Sequence, residues 1–92
     1  MLIFEWDETK AKNNLTKHRV SFAEAESVFY DPESITIDDP DHSGGEQRYV
    51  DVGTSSQNRI LVVVYTERED RIRIITVRKA TRTERKIYEQ NG

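Results

Sequence analysis

A chain of 92 residues, 35% hydrophobic and 34% charged, has material for one hydrophobic core and not two, so a single domain spanning residues 1–92 with a thin core and an ionic surface is expected. Its lack of cysteine excludes disulfide stapling, thiolate metal sites and a cysteine nucleophile, and fits a reducing cytoplasm. The formal net charge of −3 argues against a nucleic-acid binder only as an average, because residues 1–45 carry 4 Lys and Arg against 10 Asp and Glu while residues 46–92 carry 10 against 7. One face can therefore meet phosphates while acids sit beyond a Debye length of about 8–10 Å, although a mixed solvated surface explains the same numbers.

The opening MLIFEWDETK has too short an apolar run for a signal peptide, and no stretch approaches the ~20 apolar residues of a membrane span. Leu2, Ile3, Phe4 and Trp6 predict a short strand ended by Asp7, which caps a helix from Glu8 to Lys17. Ser21 and Glu24 form a capping box for a second helix, whose Phe22, Ala25, Val28 and Phe29 recur at helical spacing and which Asp31-Pro32 closes. Ser34 to Asp38 reads as a strand, and residues 39–45 as a loop. Glu46 to Gly53 alternates, with Glu46, Arg48, Val50 and Val52 on one face and Gln47, Tyr49 and Asp51 on the other.

Ile60 to Tyr65 is an unbroken β-branched run suited to a central strand covered on both faces. After a turn at Glu67 to Asp70, Arg71 to Arg78 alternates imperfectly because Ile74 and Ile75 are adjacent, and a β-bulge there returns Arg71, Arg73, Thr76 and Arg78 to a shared face. Thr81 and Glu84 form a second capping box for a terminal helix carrying Ile87 and Tyr88. The order β-α-α-β-β-β-β-α reads as α+β, and hairpin-length connections predict an antiparallel sheet packed with helices.

The block from His42 to Tyr88 holds His42, Glu46, Arg48, Arg68, Arg71, Arg73, Arg78, Lys79 and Tyr88. This mixture offers the groups that metal-free RNA cleavage needs, a base for the 2′-OH proton, an acid for the leaving 5′ oxygen and cations for phosphorane-like charge. Glu46 and Arg48 share a strand face, which places a carboxylate beside a guanidinium, though Glu-x-Arg is also an ordinary surface ion pair. Arg71, Arg73, Arg78 and Lys79, with Arg68 in the preceding turn, form either the cationic floor of a phosphate site or a soluble strand face. His42 lies in a Gly-containing loop and can transfer protons near neutral pH if another group orients it. His18, beside Lys17, is assigned to the carbonyls of a helix end, and Trp6, Phe4, Phe22 and Phe29 to the core. Tyr88 packs on the sheet by default, with a hydroxyl able to reach the basic face. The acids 38, 39 and 41 with His42 could bind a divalent cation loosely, but carboxylate-rich loops are usually only solvated, and no metal or cofactor is predicted.

The chain resembles the BrnT toxin family, whose members open on a pattern like FEWD-x-x-K-x-x-x-N-x-x-K-H-x-V-S-F-x-E-A. Here Phe4, Glu5, Trp6, Asp7, Lys10, Asn14, Lys17, His18, Val20, Ser21, Phe22, Glu24 and Ala25 carry it. Val28-Phe29-x-Asp31-Pro32, Asp41-His42-Ser43, Glu46-x-Arg48, Leu61-x-Val63 through Arg68, Ile72-Arg73-Ile74-Ile75, Arg78-Lys79-Ala80-Thr81, Glu84-Arg85 and Tyr88-Glu89 continue the likeness in order. Thr76-Val77 departs from the Ser-Ala that members often carry before Arg-Lys.

The resemblance implies a RelE-like fold and a ribonuclease that inhibits translation. It also implies a BrnA-type antitoxin with a ribbon-helix-helix-like domain, DNA contact only through that antitoxin, operon autorepression and a possible toxin–antitoxin heterotetramer. The chemistry expected is transphosphorylation to a 2′,3′-cyclic phosphate. Glu46 or His42 would be the base, Arg48, Arg68, Arg71, Arg73, Arg78 and Lys79 would contact phosphate, and Tyr88 would be a possible acid. The alternatives are a non-catalytic RelE-like partner-binding module that regulates with its antitoxin, and a direct DNA-binding regulator.

Overall fold

In the computed structural model, which describes residues 1–38 and 45–91, Asp7 and Ser21 start the two helices that the sequence places in the first half. The Asp7 carboxylate accepts from the Lys10 N–H at 3.0 Å, and the Ser21 hydroxyl accepts from the Glu24 N–H at 3.0 Å. Each satisfies a donor that the first turn leaves without an intrahelical partner. The elements in order are β1 (Ile3–Glu5), α1 (Glu8–His18), α2 (Phe22–Val28), β2 (Ile35–Asp38), β3 (Arg48–Thr54), β4 (Ile60–Arg68), β5 (Arg71–Lys79) and α3 (Arg82–Asn91).

Only half of the Ser21–Glu24 box forms, because the Glu24 side chain turns away from its helix to Arg59 and to the Ser55 hydroxyl, 2.6 Å away. The Thr81–Glu84 box closes both ways, with Glu84 N–H donating to Thr81 Oγ1 at 3.2 Å and Thr81 N–H to Glu84 Oε1 at 2.8 Å.

The five strands lie in the order β1-β5-β4-β3-β2. The sheet is mixed, which corrects the antiparallel expectation: β2 to β5 pair antiparallel, but β1 runs parallel to β5. Short connections govern only strands that follow one another directly, and β1 is separated from the rest by two helices. The central run is also longer than expected, since β4 continues through Thr66 to Arg68 and the turn shrinks to Glu69 and Asp70, with Glu69 at a left-handed φ of 56°.

The paired register assigns the faces. Leu61, Val63, Tyr65, Ile72, Ile74 and Val77 pack under α1 and α2 with Val20, Phe22, Ala25 and Val28. On the opposite face Tyr88 of α3 covers Val52 and Val62. Phe4, Phe29, Tyr65 and Tyr49 follow one another at centroid distances of 5.2, 4.8 and 5.7 Å, and Trp6 meets Phe22 edge-on at 5.8 Å. The expected bulge is present: Tyr65 pairs with Ile74 and Val64 with Thr76, leaving Ile75 without a partner. Arg71, Arg73, Thr76 and Arg78 thereby belong to the face opposite the main core.

β1 ends at Glu5, opposite Arg73, so among the described residues β5 beyond that rung has no strand on its outer side. Asn14 of α1, only 7% exposed, fills that role with its side-chain amide. Its Nδ2 donates to the Val77 and Val20 carbonyls at 2.9 and 3.0 Å, and its Oδ1 accepts from the Val77 N–H at 3.2 Å and the Thr76 hydroxyl at 2.8 Å. All the bonding capacity of the amide is used. Replacing Asn14 with Leu strands these buried groups and is expected to cost about 3 kcal/mol, read as a lower urea midpoint at unchanged slope. Asn14→Asp, which keeps the shape but cannot donate to the carbonyls, is also destabilised, whereas Lys12→Gln, at an exposed position of α1, is neutral.

Candidate active site

One rung of the sheet runs Arg48, Thr66, Arg73, Glu5 across β3, β4, β5 and β1. Residues paired across neighbouring strands share a face, so this rung projects its side chains from the side of the sheet that α3 covers only at its far end. Two residues further along β4 stands Arg68, and two residues before Arg48 stands Glu46. Alternation brings both to the same side, and they meet: Arg68 Nε and Nη2 donate to the two Glu46 carboxylate oxygens at 2.7 Å each. Thr66 is buried and donates its hydroxyl to the Gln47 carbonyl at 2.8 Å, which ties the chain before β3 to β4.

Arg68 and Arg71 face each other across the β4–β5 hairpin, a like-charge pairing that costs stability on its own. Glu5 offsets it. Its carboxylate lies 4.0 Å from Arg68, 3.5 Å from Arg71 and 3.1 Å from Arg73. Lys10, in the first half of α1, closes the remaining side, and a polar cleft of about 280 Å³ results, lined by Lys10, Glu46, Arg48, Arg68, Arg73 and Ile75 with Thr66 at its base. A wall with more cations than carboxylates focuses a positive potential and suits a phosphodiester.

The hydrogen bond from Arg68, together with the positive charge of Arg68 and Arg73, holds the Glu46 carboxyl below its ordinary value of 4.5. Glu46 is therefore a carboxylate at neutral pH, positioned by the same guanidinium that would bind a phosphate.

The expected single pocket divides. Glu46, Arg48, Arg68 and Arg73 come together, and Arg71 lies at the rim through Glu5. Arg78 shares their face by register but is held at 2.7 and 2.8 Å by Glu84 at the start of α3. This bonding drives the Glu84 carboxyl down to about 2. Tyr88 lies under α3, its hydroxyl bonded to Asp31 and Thr54. Thr54 is six residues along β3 from Arg48, roughly 20 Å at strand rise. Lys79 lines a separate groove with Arg59 and Arg85. The placement of Tyr88 and Lys79 with the other arginines is thus corrected: α3 folds over the far end of the sheet and engages them there. His42 lies outside the described residues.

Sequence reasoning passed over Lys10, Glu5 and Thr66 as site residues. Lys10 and Glu5 belong to the N-terminal pattern. Thr66 and Arg68 become visible once the alternation of β4 is followed past Tyr65 into its polar end.

Residues 6–84 match the family described as the ribonuclease toxin, BrnT, of type II toxin–antitoxin systems. Among solved structures, the crystal structure of the Brucella abortus ribonuclease toxin BrnT superposes with a TM-score of 0.68 at 20% identity, covering 89% of this chain and 100% of that one. At that identity the likeness speaks for the fold. No curated protein sequence matches the chain. The family match runs from Trp6, in the N-terminal pattern, to Glu84, at the start of the last helix, and takes in β3, β4 and β5 with their arginines; the chain belongs to the BrnT family of ribonuclease toxins of type II toxin–antitoxin systems.

Proposed function

We propose that the protein is an endoribonuclease toxin of RelE-like type that cleaves RNA without a metal ion in the cleft of Glu46, Arg48, Arg68, Arg73 and Lys10, and inhibits translation in the cytoplasm. The observation that carries this reading is the carboxylate of Glu46 bonded face to face with Arg68 inside a ring of cations. In this reading a substrate phosphate competes for Arg68, Arg48 and Arg73 through charge-assisted hydrogen bonds. Once Arg68 turns to the phosphate, Glu46 loses its partner and gains a negative neighbour, and both changes raise its proton affinity. The base thus strengthens as substrate arrives.

Glu46 takes the 2′-OH proton, the 2′ oxygen attacks phosphorus, and the guanidinium groups stabilise the equatorial oxygens. Lys10, the ammonium lining the cleft, gives a proton to the departing 5′ oxygen, leaving a 2′,3′-cyclic phosphate. A divalent cation asks for several oxygen ligands, whereas among the described residues the cleft is lined by one carboxylate, held by arginine.

A type II toxin has an antitoxin partner, and here a BrnA-type antitoxin with its own DNA-binding domain is the proposed one. DNA contact, operon autoregulation and any heterotetramer then depend on it.

Purified protein is expected to cleave total RNA in excess chelator. Arg48→Ala and Arg73→Ala each lower the rate by about 10²-fold, and Glu46→Gln by about 10²–10⁴-fold, while Arg78→Ala and Tyr88→Phe stay within a few fold. Strict dependence on added magnesium would sink the metal-free chemistry, and RNA binding without products would favour the non-catalytic module.

The pH profile separates the two candidate bases. Glu46 acts deprotonated and its carboxyl is depressed below 4.5 in the free protein, so kcat/KM is flat through neutral pH and falls only in acid below that value. The acid limb of kcat lies at higher pH, because the bound phosphate removes Arg68. Acid limbs of both near ~6.5 would assign the base to His42 instead.

A further inference from the structure

The cleft does not stop at Lys10. Lys10 and Ile75 also wall a second groove between α1 and the outer edge of β5, which continues past Asn13, Thr76, Lys17 and His18. This groove exists because β1 ends at Glu5 and α1, pinned by Asn14, lies where a further strand would run. Every ionisable side chain lining it is basic, in a chain of net charge −3. Lys10, Asn13 and Lys17 stand at i, i+3 and i+7 on one helical stripe. Among the described residues, Lys10, Lys17 and His18 form no ion pair. Toward α3 the same face carries Val50 and Val64, with Arg78 on β5 already bonded to Glu84, and is closed by Tyr88 over Val52 and Val62. A polyanion held in the cleft has a cationic way out along α1 without counter-ions, whereas in the other direction it meets valines and an arginine already held by Glu84.

We infer that the groove between α1 and β5 is a second binding site, a track for the sugar–phosphate backbone of single-stranded RNA adjoining the scissile phosphate, with Lys17 as its distal anchor. Asn13 and His18 supply hydrogen bonds along it. The proposal rests on the ribonuclease reading of the cleft and adds that the substrate is a strand several nucleotides long, gripped by its backbone rather than by sequence. Lys10 and Lys17 are separated by about 10 Å of helix, about three nucleotides at a stacked rise of ~3.4 Å.

The test is binding of the full chain to a 2′-O-methyl oligonucleotide and to a 2′-O-methyl dinucleotide, which lack the attacking hydroxyl and stay intact, across a salt series. Lys17→Glu is expected to lower the ratio of long-strand to dinucleotide affinity roughly tenfold and to flatten the salt slope for the long strand by about 0.7 per lost contact. Lys17→Arg restores both, and Lys12→Glu, the same charge change on the side of α1 that faces Trp6 and Phe22, does neither. Equal effects of Lys17→Glu and Lys12→Glu, or none from Lys17→Glu while the wild type still cleaves RNA, would remove the track and leave the cleft standing. A wild type that neither binds nor cleaves RNA would overturn both.

Discussion

The side-chain amide of Asn14 stands in for a strand. Beyond Arg73 the outer edge of β5 would show bare N–H and C=O groups to solvent, the condition under which edges recruit unwanted partners. Asn14 meets the Val77 N–H and C=O as a neighbouring strand would, and its remaining donor reaches the Val20 carbonyl in the turn before α2. Pinning that residue sets the position of the whole helix. Lys10 lies four residues earlier on the same stripe, so the amide that covers the edge of β5 also holds an ammonium at the lip of the cleft.

The arginine-lined end of the sheet shows why such a cleft is compatible with a stable fold. Arg68 and Arg71 sit directly opposite each other and Arg73 is two rungs away on the same face, an arrangement that self-repulsion opposes. Glu5 is placed by the parallel pairing of β1 within reach of all three, and Glu46 takes the free side of Arg68. The mixed sheet is therefore tied to the site: a β1 strand elsewhere would leave the arginines without their shared counter-ion. Partly exposed pairs of this kind contribute little net stability. Their effect is to keep guanidinium groups together in a geometry that a phosphate can use.

Much of this was legible along the chain because it depends on neighbours in sequence. Asp7, Ser21 and Thr81 announce helix starts by local chemistry. The doubled Ile74-Ile75 forces a bulge whatever surrounds it, and Glu46 and Arg48 share a face by the strand period alone. What escaped depends on distant packing. Nothing near Leu2 to Trp6 reveals that β1 will lie parallel to β5 after five intervening elements. The polar end of β4 looks like a turn because Thr66 and Arg68 face the side of the sheet that no helix covers there. Chemistry groups Tyr88 and Lys79 with the arginines, but α3 folds over the other end of the sheet, where Tyr88 meets Asp31 and Thr54.

Among the described residues three carboxylates are each gripped by two hydrogen bonds from one guanidinium, Glu24 by Arg59, Glu84 by Arg78 and Glu46 by Arg68, and in each the arginine hydrogen bond depresses the carboxyl. The direction of the shift is common to all three, and what separates them is burial and the other bonds each carboxylate makes. The Glu24 side chain is 2% exposed and shared with Ser55 beneath α2, so removing its arginine would leave a buried charge unpaired. Glu84 is also committed to the backbone N–H of Thr81 in the cap of α3. In the third pair both partners are nearly half exposed, at 48% for Arg68 and 46% for Glu46, and neither closes a cap or a core. Water already competes for that pair, so a phosphate can replace the carboxylate on Arg68 without unmaking any other part of the fold. The same chemical pairing is thus structural where a partner is buried or tied into a cap and exchangeable where neither holds, and the exchangeable copy is the one that lines the cationic cleft.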